Sequence, residues 1–258
     1  MDFGLLVAYF LLYGFVFLFG AVFGDFANVI IYRVPRKLSF ARGRSMCPAC
    51  GHVIRPLDMF PILGWVFLRG KCRDCGAKIS PRYPIVEAVG GILAVLCALR
   101  FGFTFALPVV FAFCLILLCI AFIDFDTMEI PNGLLLALLI PAALMFIYYP
   151  GVSWLAHLIG AFCVSLPFFL ITLLIPDAFG GGDIKLLFVV GLALGWQVTL
   201  LAAFLALLFG AVFALSSLKR GTLAKQSHFA FGPAITLGAA IAALYGSSII
   251  AVYLNLFL

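Results

Sequence analysis

Charge is what this sequence lacks. Asp, Glu, Lys and Arg together make up 10% of its 258 residues, and only ten of them are acids. A soluble domain carries about a quarter. With 66% hydrophobic residues, too few polar side chains remain to cover a water-facing surface. A soluble globular domain is therefore excluded, and a polytopic membrane protein is what the composition allows. Other absences narrow the choice. No glycine-rich nucleotide loop follows a strand. No internal repeat is visible, although carriers often have two related halves. The apolar start, Phe3 to Val22, has neither a basic leading region nor a small-residue cleavage site, so it reads as a retained anchor rather than a signal peptide. The net charge of +6 is gathered mostly in one loop and gives no reason to expect nucleic acid.

What is present is a series of apolar runs. A hydrocarbon core of ~30 Å takes about 20 apolar residues, or fewer where a helix is short or re-entrant. Such runs lie near 3–24, 84–99, 104–123, 133–149, 154–175, 184–195, 198–217 and 231–256. The expected fold is all-α, with about eight transmembrane helices. The loop 33–83 carries eleven basic residues against two acids, Asp58 and Asp74. By the positive-inside rule it is cytoplasmic and the N-terminus is outside. Threading eight spans from there also puts 124–132, 176–183 and 218–230 inside. The last of these holds Lys219, Arg220 and Lys225. If 184–217 were one long helix, that cluster would fall outside, so a break is expected at Gly195-Trp196-Gln197. The domains expected are a first helix (1–32), a cytoplasmic loop domain (33–83) and a membrane core (84–258).

The loop contains Cys47-Pro48-Ala49-Cys50 and Cys72-Arg73-Asp74-Cys75, each pair followed by glycine (Gly51, Gly76). This is zinc-ribbon spacing, in which each pair offers two thiolates to a tetrahedral ion. A disulfide is disfavoured on a reducing cytosolic side. Doubled pairs without a βαβ pattern argue against redox chemistry. Four thiolates leave no open position, so Cys47, Cys50, Cys72 and Cys75 point to structural zinc that supplies folding energy to a loop too small for a core. His52 reads as exposed, and the single Cys97, Cys114, Cys119 and Cys163 as buried apolar residues.

With ten acids, a search for catalytic carboxylates is short. Asp183 follows Gly180-Gly181-Gly182 at the mouth of an apolar segment, where a charge marks a functional site by default. Glycine there permits a bend and the close approach of a second chain. Lys185 either snorkels to the interface or touches the acids or a substrate. Asp124 ends an outside-to-inside helix and Asp183 begins an inside-to-outside one, so the topology brings both to the cytoplasmic surface. Two close carboxylates share a proton, and such a pair can activate water against a peptide bond. Asp126, Glu129 and Asp177 read as helix-end residues facing water. His157 reads as interfacial and His228 as a loop residue.

These segments together resemble the type IV prepilin peptidases, membrane aspartyl proteases of the GxGD type. Phe23-Gly24-Asp25-Phe26-Ala27-Asn28-Val29-Ile30-Ile31-Tyr32-Arg33-Val34-Pro35 is similar to the family's first-span exit, and Ile79-Ser80-Pro81-Arg82-Tyr83-Pro84-Ile85-Val86-Glu87 to its ISxRYPxxE segment. The two cysteine pairs match its knuckles. Ile123-Asp124-Phe125-Asp126-Thr127-Met128-Glu129-Ile130-Pro131-Asn132 fits the first catalytic segment, where the active aspartate stands seven residues before the proline. That selects Asp124 over Asp126. Gly180-Gly181-Gly182-Asp183 fits GxGD, and Phe229-Ala230-Phe231-Gly232-Pro233 resembles the segment before the last helix.

The resemblance implies an enzyme of the bacterial inner membrane with its active site facing the cytoplasm. It implies cleavage of the basic leader of prepilins or pseudopilins after a glycine, with Asp124 and Asp183 catalytic and Gly180, Gly182 and Lys185 supporting them. It also implies methylation of the new N-terminus with S-adenosyl-L-methionine. Arg82, Glu87 and Asn28, which bracket the loop at the membrane, are the candidates for holding that donor. Their bland reading is an ion pair of Glu87 with Arg82 or Arg33 that ties the loop down. A proton- or cation-coupled transporter using the same acids is the competing class. An inactive zinc-organised scaffold is a third.

Overall fold

The computed structural model describes residues 3–39, 44–148, 152–175, 179–219 and 230–257. Of the residues singled out above, Asp177, Arg220, Lys225, His228 and Phe229 lie outside these. The described residues form α1 (Phe3–Arg33), a 3-10 turn (Pro56–Met59), α2 (Leu63–Phe67), α3 (Arg82–Phe101), α4 (Ala106–Thr127), α5 (Asn132–Tyr148), α6 (Trp154–Cys163), α7 (Ser165–Leu174), α8 (Gly181–Leu194), α9 (Trp196–Lys219) and α10 (Gly232–Phe257). Among them the only β structure is two isolated bridges.

Among the described residues, six stretches are long and apolar enough to cross a membrane: α1, α3, α4, α6 with α7, α9 and α10. Helices α5 and α8 occupy the other two runs but have 17 and 14 residues. At 1.5 Å per residue they reach only about 26 and 21 Å. The eight expected segments are thus all helical, six of them of full spanning length.

The break expected after α8 is present. Gly195, at φ +76°, caps α8, and α9 starts at the next residue. A second break was not foreseen. The run 154–175 divides at Val164 into α6 and α7. Pro167 has no N–H to give the Cys163 carbonyl, and its ring crowds that carbonyl. The Ser165 hydroxyl donates instead to the Ala161 carbonyl.

The chain divides into two compact units, residues 1–103 and 104–258. In the first, α3 packs along α1, although by sequence it was grouped with the 84–258 core. The helices approach at small residues: a Cβ on Gly20 would stand 2.5 Å from both the Ala94 Cβ and the Gly90 carbonyl oxygen. Backbones that close gain dispersion contacts, which drive association where lipid is as apolar as the side chains.

In the second unit α10 packs on α9 and α4, while α8 lies against α5 and α6. Phe113, Leu117, Ile120, Leu138, Met145, Leu186 and Ile235 are fully buried there. Exposed Phe204, Leu207 and Val212 on α9 present an apolar outer face.

His157, expected at an interface, is instead wholly buried. Its Nδ1 donates to the Leu192 carbonyl at 2.9 Å, and its ring packs on Phe146. It reaches Leu192 because α8 ends two residues later and leaves carbonyls without helical partners. Cys97, Cys114 and Cys119 are buried as expected; Cys163 is partly exposed and donates to the Gly160 carbonyl.

Candidate active site and metal centre

Asp124 lies in the last turn of α4. That helix stops because Met128 adopts φ +55° and returns its N–H to the Asp124 carbonyl, and Pro131 follows. The carboxylate turns inward and is only 4% exposed. Its Oδ2 accepts the Gly232 N–H at 3.0 Å. Gly232 is the first residue of α10, whose leading N–H groups have no intrahelical acceptor. Asp124 therefore caps α10, and the positive end of that helix dipole faces the carboxylate.

Asp183 sits in the first turn of α8 and is half-buried. Its backbone N–H bonds to the Gly180 carbonyl at 3.0 Å, and its Oδ2 folds back toward Gly180, 3.1 Å from where a Cβ would be. Gly182, the residue before Asp183, packs against Ile130, six residues after Asp124, so two segments remote in sequence that carry the acids meet inside one unit. Asp126 and Glu129 are exposed.

The glycines before Asp183 act through space, not through backbone conformation. Gly180 has φ −64° and is open to any residue. Gly182 faces Ile130, whose Cβ would lie 3.0 Å from an added methyl, so the Asp124 and Asp183 segments touch there. Lys185 is exposed and donates to Asn132 Oδ1 at 3.0 Å. Sequence reasoning missed two contacts: the Gly232 N–H on Asp124 and Asn132 as the partner of Lys185. Both residues stood within the quoted motifs, but nothing in those motifs paired them.

The cysteine loop forms two matching knuckles. The N–H of Cys47 bonds to the His52 carbonyl and that of Cys72 to the Ala77 carbonyl. Gly51 and Gly76 close the turns at φ +69° and +71°, a conformation that glycine adopts without cost. The four Sγ atoms lie within 4.8 Å of one another, and Cys47 and Cys75 are 3.9 Å apart. A tetrahedron with arms of 2.3 Å has edges of about 3.8 Å, so the set fits zinc. The N–H groups of Cys50 and Ala49 bring the Cys47 thiol down to about 7, whereas burial and the neighbouring sulfurs push the Cys75 thiol up to about 12. Arg73, between the second pair, grips Asp58 of the 3-10 turn through two N–H groups and holds its carboxyl below the usual range. His52 is exposed, as expected.

Near the end of α1 and the start of α3, Asn28 and Glu87 are both buried. Asn28 Nδ2 donates to the Tyr83 carbonyl at 3.1 Å. Glu87 Oε2 accepts the Ile62 N–H at 2.6 Å. Ile62 has φ +61°, strained for a β-branched residue, and the Glu87 bond helps to hold it. Glu87 thus ties the loop to the membrane helices, as its bland reading supposed, but through a backbone N–H.

Fold and site together define a polytopic helical membrane protein with a buried and a half-buried aspartate on packed segments and a four-cysteine loop. The chain belongs to the prepilin leader peptidase/N-methyltransferase family. Residues 18–101 match the Bacterial Peptidase A24 N-terminal domain, and residues 111–215 the Type IV leader peptidase family. A Bacillus subtilis protein named prepilin leader peptidase/N-methyltransferase is 36% identical over 241 residues, covering 93% of this chain and 97% of its own. A protein of the same name from Aeromonas hydrophila is 32% identical over 277 aligned positions, covering 96% of each. One from Aeromonas salmonicida is 30% identical over 275, covering 95% and 94%. No solved structure matches the chain.

Proposed function

We propose that this chain is a bacterial inner-membrane aspartic endopeptidase. It cuts the basic leader from prepilins or pseudopilins after a glycine at the cytoplasmic face, and it N-methylates the amine so released. The observation that carries the peptidase reading is Asp124, buried and held by the α10 N-terminus, on a segment whose Ile130 packs against Gly182, the residue before Asp183.

Two neighbouring carboxyls hold one proton between them and titrate as a pair. The ionised member takes a proton from water as its oxygen attacks the scissile carbonyl carbon. The protonated member gives its proton to the carbonyl oxygen. The tetrahedral intermediate then collapses: the C–N bond breaks, the leaving nitrogen takes up the proton that came from water, and one hydroxyl proton returns to the carboxylate that had protonated the carbonyl oxygen. No covalent intermediate with the protein forms. Gly180 and Gly182 serve by leaving room for the Asp183 carboxylate and Ile130.

The four cysteines would hold a structural zinc ion that stabilises the loop. For methyl transfer, the bonds above leave Asn28 Oδ1 and Glu87 Oε1 as acceptors suited to the hydroxyl and amine groups of S-adenosyl-L-methionine, with Arg82 five residues before Glu87 on α3. When bound, that donor supplies an electrophilic methyl group to the neutral amine.

The test is cleavage of a purified prepilin in detergent. Wild type shortens it, whereas Asp124→Asn and Asp183→Asn each abolish cutting; cutting retained in either variant refutes the pair. Labelled methyl incorporation reads the second activity separately. Glu87→Gln is expected to lose it while cleavage persists. Unchanged incorporation would leave Glu87 as a structural tie only.

A further inference from the structure

An open groove of about 690 Å³ runs between α5, α6, α7 and α8, within the range of ~300–1,000 Å³ usual for ligand sites. Its walls are apolar, with Leu136, Phe162, Leu166 and Phe169 among them, apart from Asn132, Ser165 and Lys185. Ser165 spends its hydroxyl on the Ala161 carbonyl. The groove's free polarity is therefore confined to the Lys185–Asn132 pair. Both residues belong to segments that carry the acids. Lys185 stands two places after Asp183, and Asn132 directly follows Pro131 in the Asp124 segment. The break between α6 and α7 shapes the opposite wall, through Phe162 before it and Leu166 after it.

This one-ended polarity matches a particular occupant. A peptide bond inside a helix is shielded, and its carbonyl is already hydrogen-bonded. A substrate helix must therefore unwind where it is cut. Unwinding strands backbone carbonyls in an apolar setting, which is costly unless donors are supplied. The Lys185 ammonium has three N–H groups and the Asn132 amide has two; only one Lys185 N–H is used in their mutual bond. An acyl chain would need the apolar walls but not these donors.

We infer that this groove seats the apolar stem of the substrate, and that Lys185 and Asn132 hold the carbonyls of its unwound segment beside the cut. The inference rests on the peptidase reading above and goes beyond it by naming the surface and the donors. The apolar stem fixes affinity through the walls, while the two donors fix the geometry of the opened backbone.

The test uses the full chain in detergent and a synthetic peptide made of a basic leader, a glycine and an apolar helix of about 20 residues. Leu136→Trp and Leu166→Trp fill the groove and are expected to raise KM about tenfold with kcat nearly unchanged, since they remove uniform binding. Leu207→Trp, on the outer face of α9, leaves both unchanged. Lys185→Met lowers kcat, and Lys185→Gln, which keeps a donor, restores part of it. A photo-crosslinker at Leu136 in the Asp183→Asn chain captures the peptide, whereas one at Leu207 does not; this readout does not depend on turnover. If wild type cuts the peptide but both tryptophan variants keep its KM, or capture is equal at the two positions, lipid fills the groove and the inference fails while the peptidase reading stands. If wild type does not cut at all, both fall.

Discussion

At the scale of the residue, Asp124 and Asp126 are two of ten acids, and only their surroundings separate them. Asp124 is buried against the first N–H of α10, while Asp126 faces outward. The contact needs glycine at 232 because a Cβ there would lie 2.5 Å from Asp124 Oδ2 and 2.8 Å from its Cγ. Gly232→Ala must push the carboxylate aside. A displacement of about 1 Å near a reacting centre costs on the order of 100-fold, so cleavage by this variant is expected to fall about that far while it still folds. Single-turnover cleavage, with circular dichroism as a folding control, checks this; near-wild-type turnover would show the contact to be incidental. The aspartate was legible in the sequence from its spacing to Pro131. Its donor was not, because a backbone N–H has no signature in a one-letter code.

At the scale of the element, α8 is fixed at both ends. Its N-terminus carries Asp183, and its C-terminal carbonyl at Leu192 is met by His157 from α6. A Cβ on Gly191 would collide with the Gly160 carbonyl, so the α6 and α8 backbones touch. Leaving a buried carbonyl without a partner costs about 1–3 kcal/mol. His157→Ala is expected to lose stability in that range, read as a lower unfolding midpoint in detergent; an unchanged midpoint would mean that another donor replaces the imidazole.

The cysteine knuckles are elements of another kind, because their positions follow from chain-local turns. Cys72→Ser removes one corner of the tetrahedron. Zinc content is expected to fall from about one per chain to well below ~0.5, with faster proteolysis of the loop, since metal binding is folding energy in so small a domain. Retention of a full equivalent would mean that the site is not built from all four sulfurs. The knuckles were legible because CxxC and its following glycine are local. The break between α6 and α7 was equally local, at Pro167, but the continuous apolar run around it masked it.

At the scale of the whole molecule, charge asymmetry sets orientation. The segment 33–83 holds every basic residue of the first unit except Arg100, and holding such a loop inside is what the positive-inside rule demands. Reporter fusions after residues 57 and 128 are expected to behave as cytoplasmic, and one after residue 103 as external. A fusion after residue 57 that reports the outside would reverse the topology and remove the acids from the leader's side of the membrane.

Hydropathy and spacing are properties of neighbouring residues, so the sequence by itself determined the membrane class, the eight apolar helical runs, the cysteine knuckles and the short list of acids. The tertiary structure alone decided which groups meet: Gly232 with Asp124 across 108 positions, Lys185 with Asn132 across 53, and His157 with Leu192 across 35. Those pairings depend on how close two helix backbones can come, and that is set by packing in three dimensions, not by the order of residues along either helix.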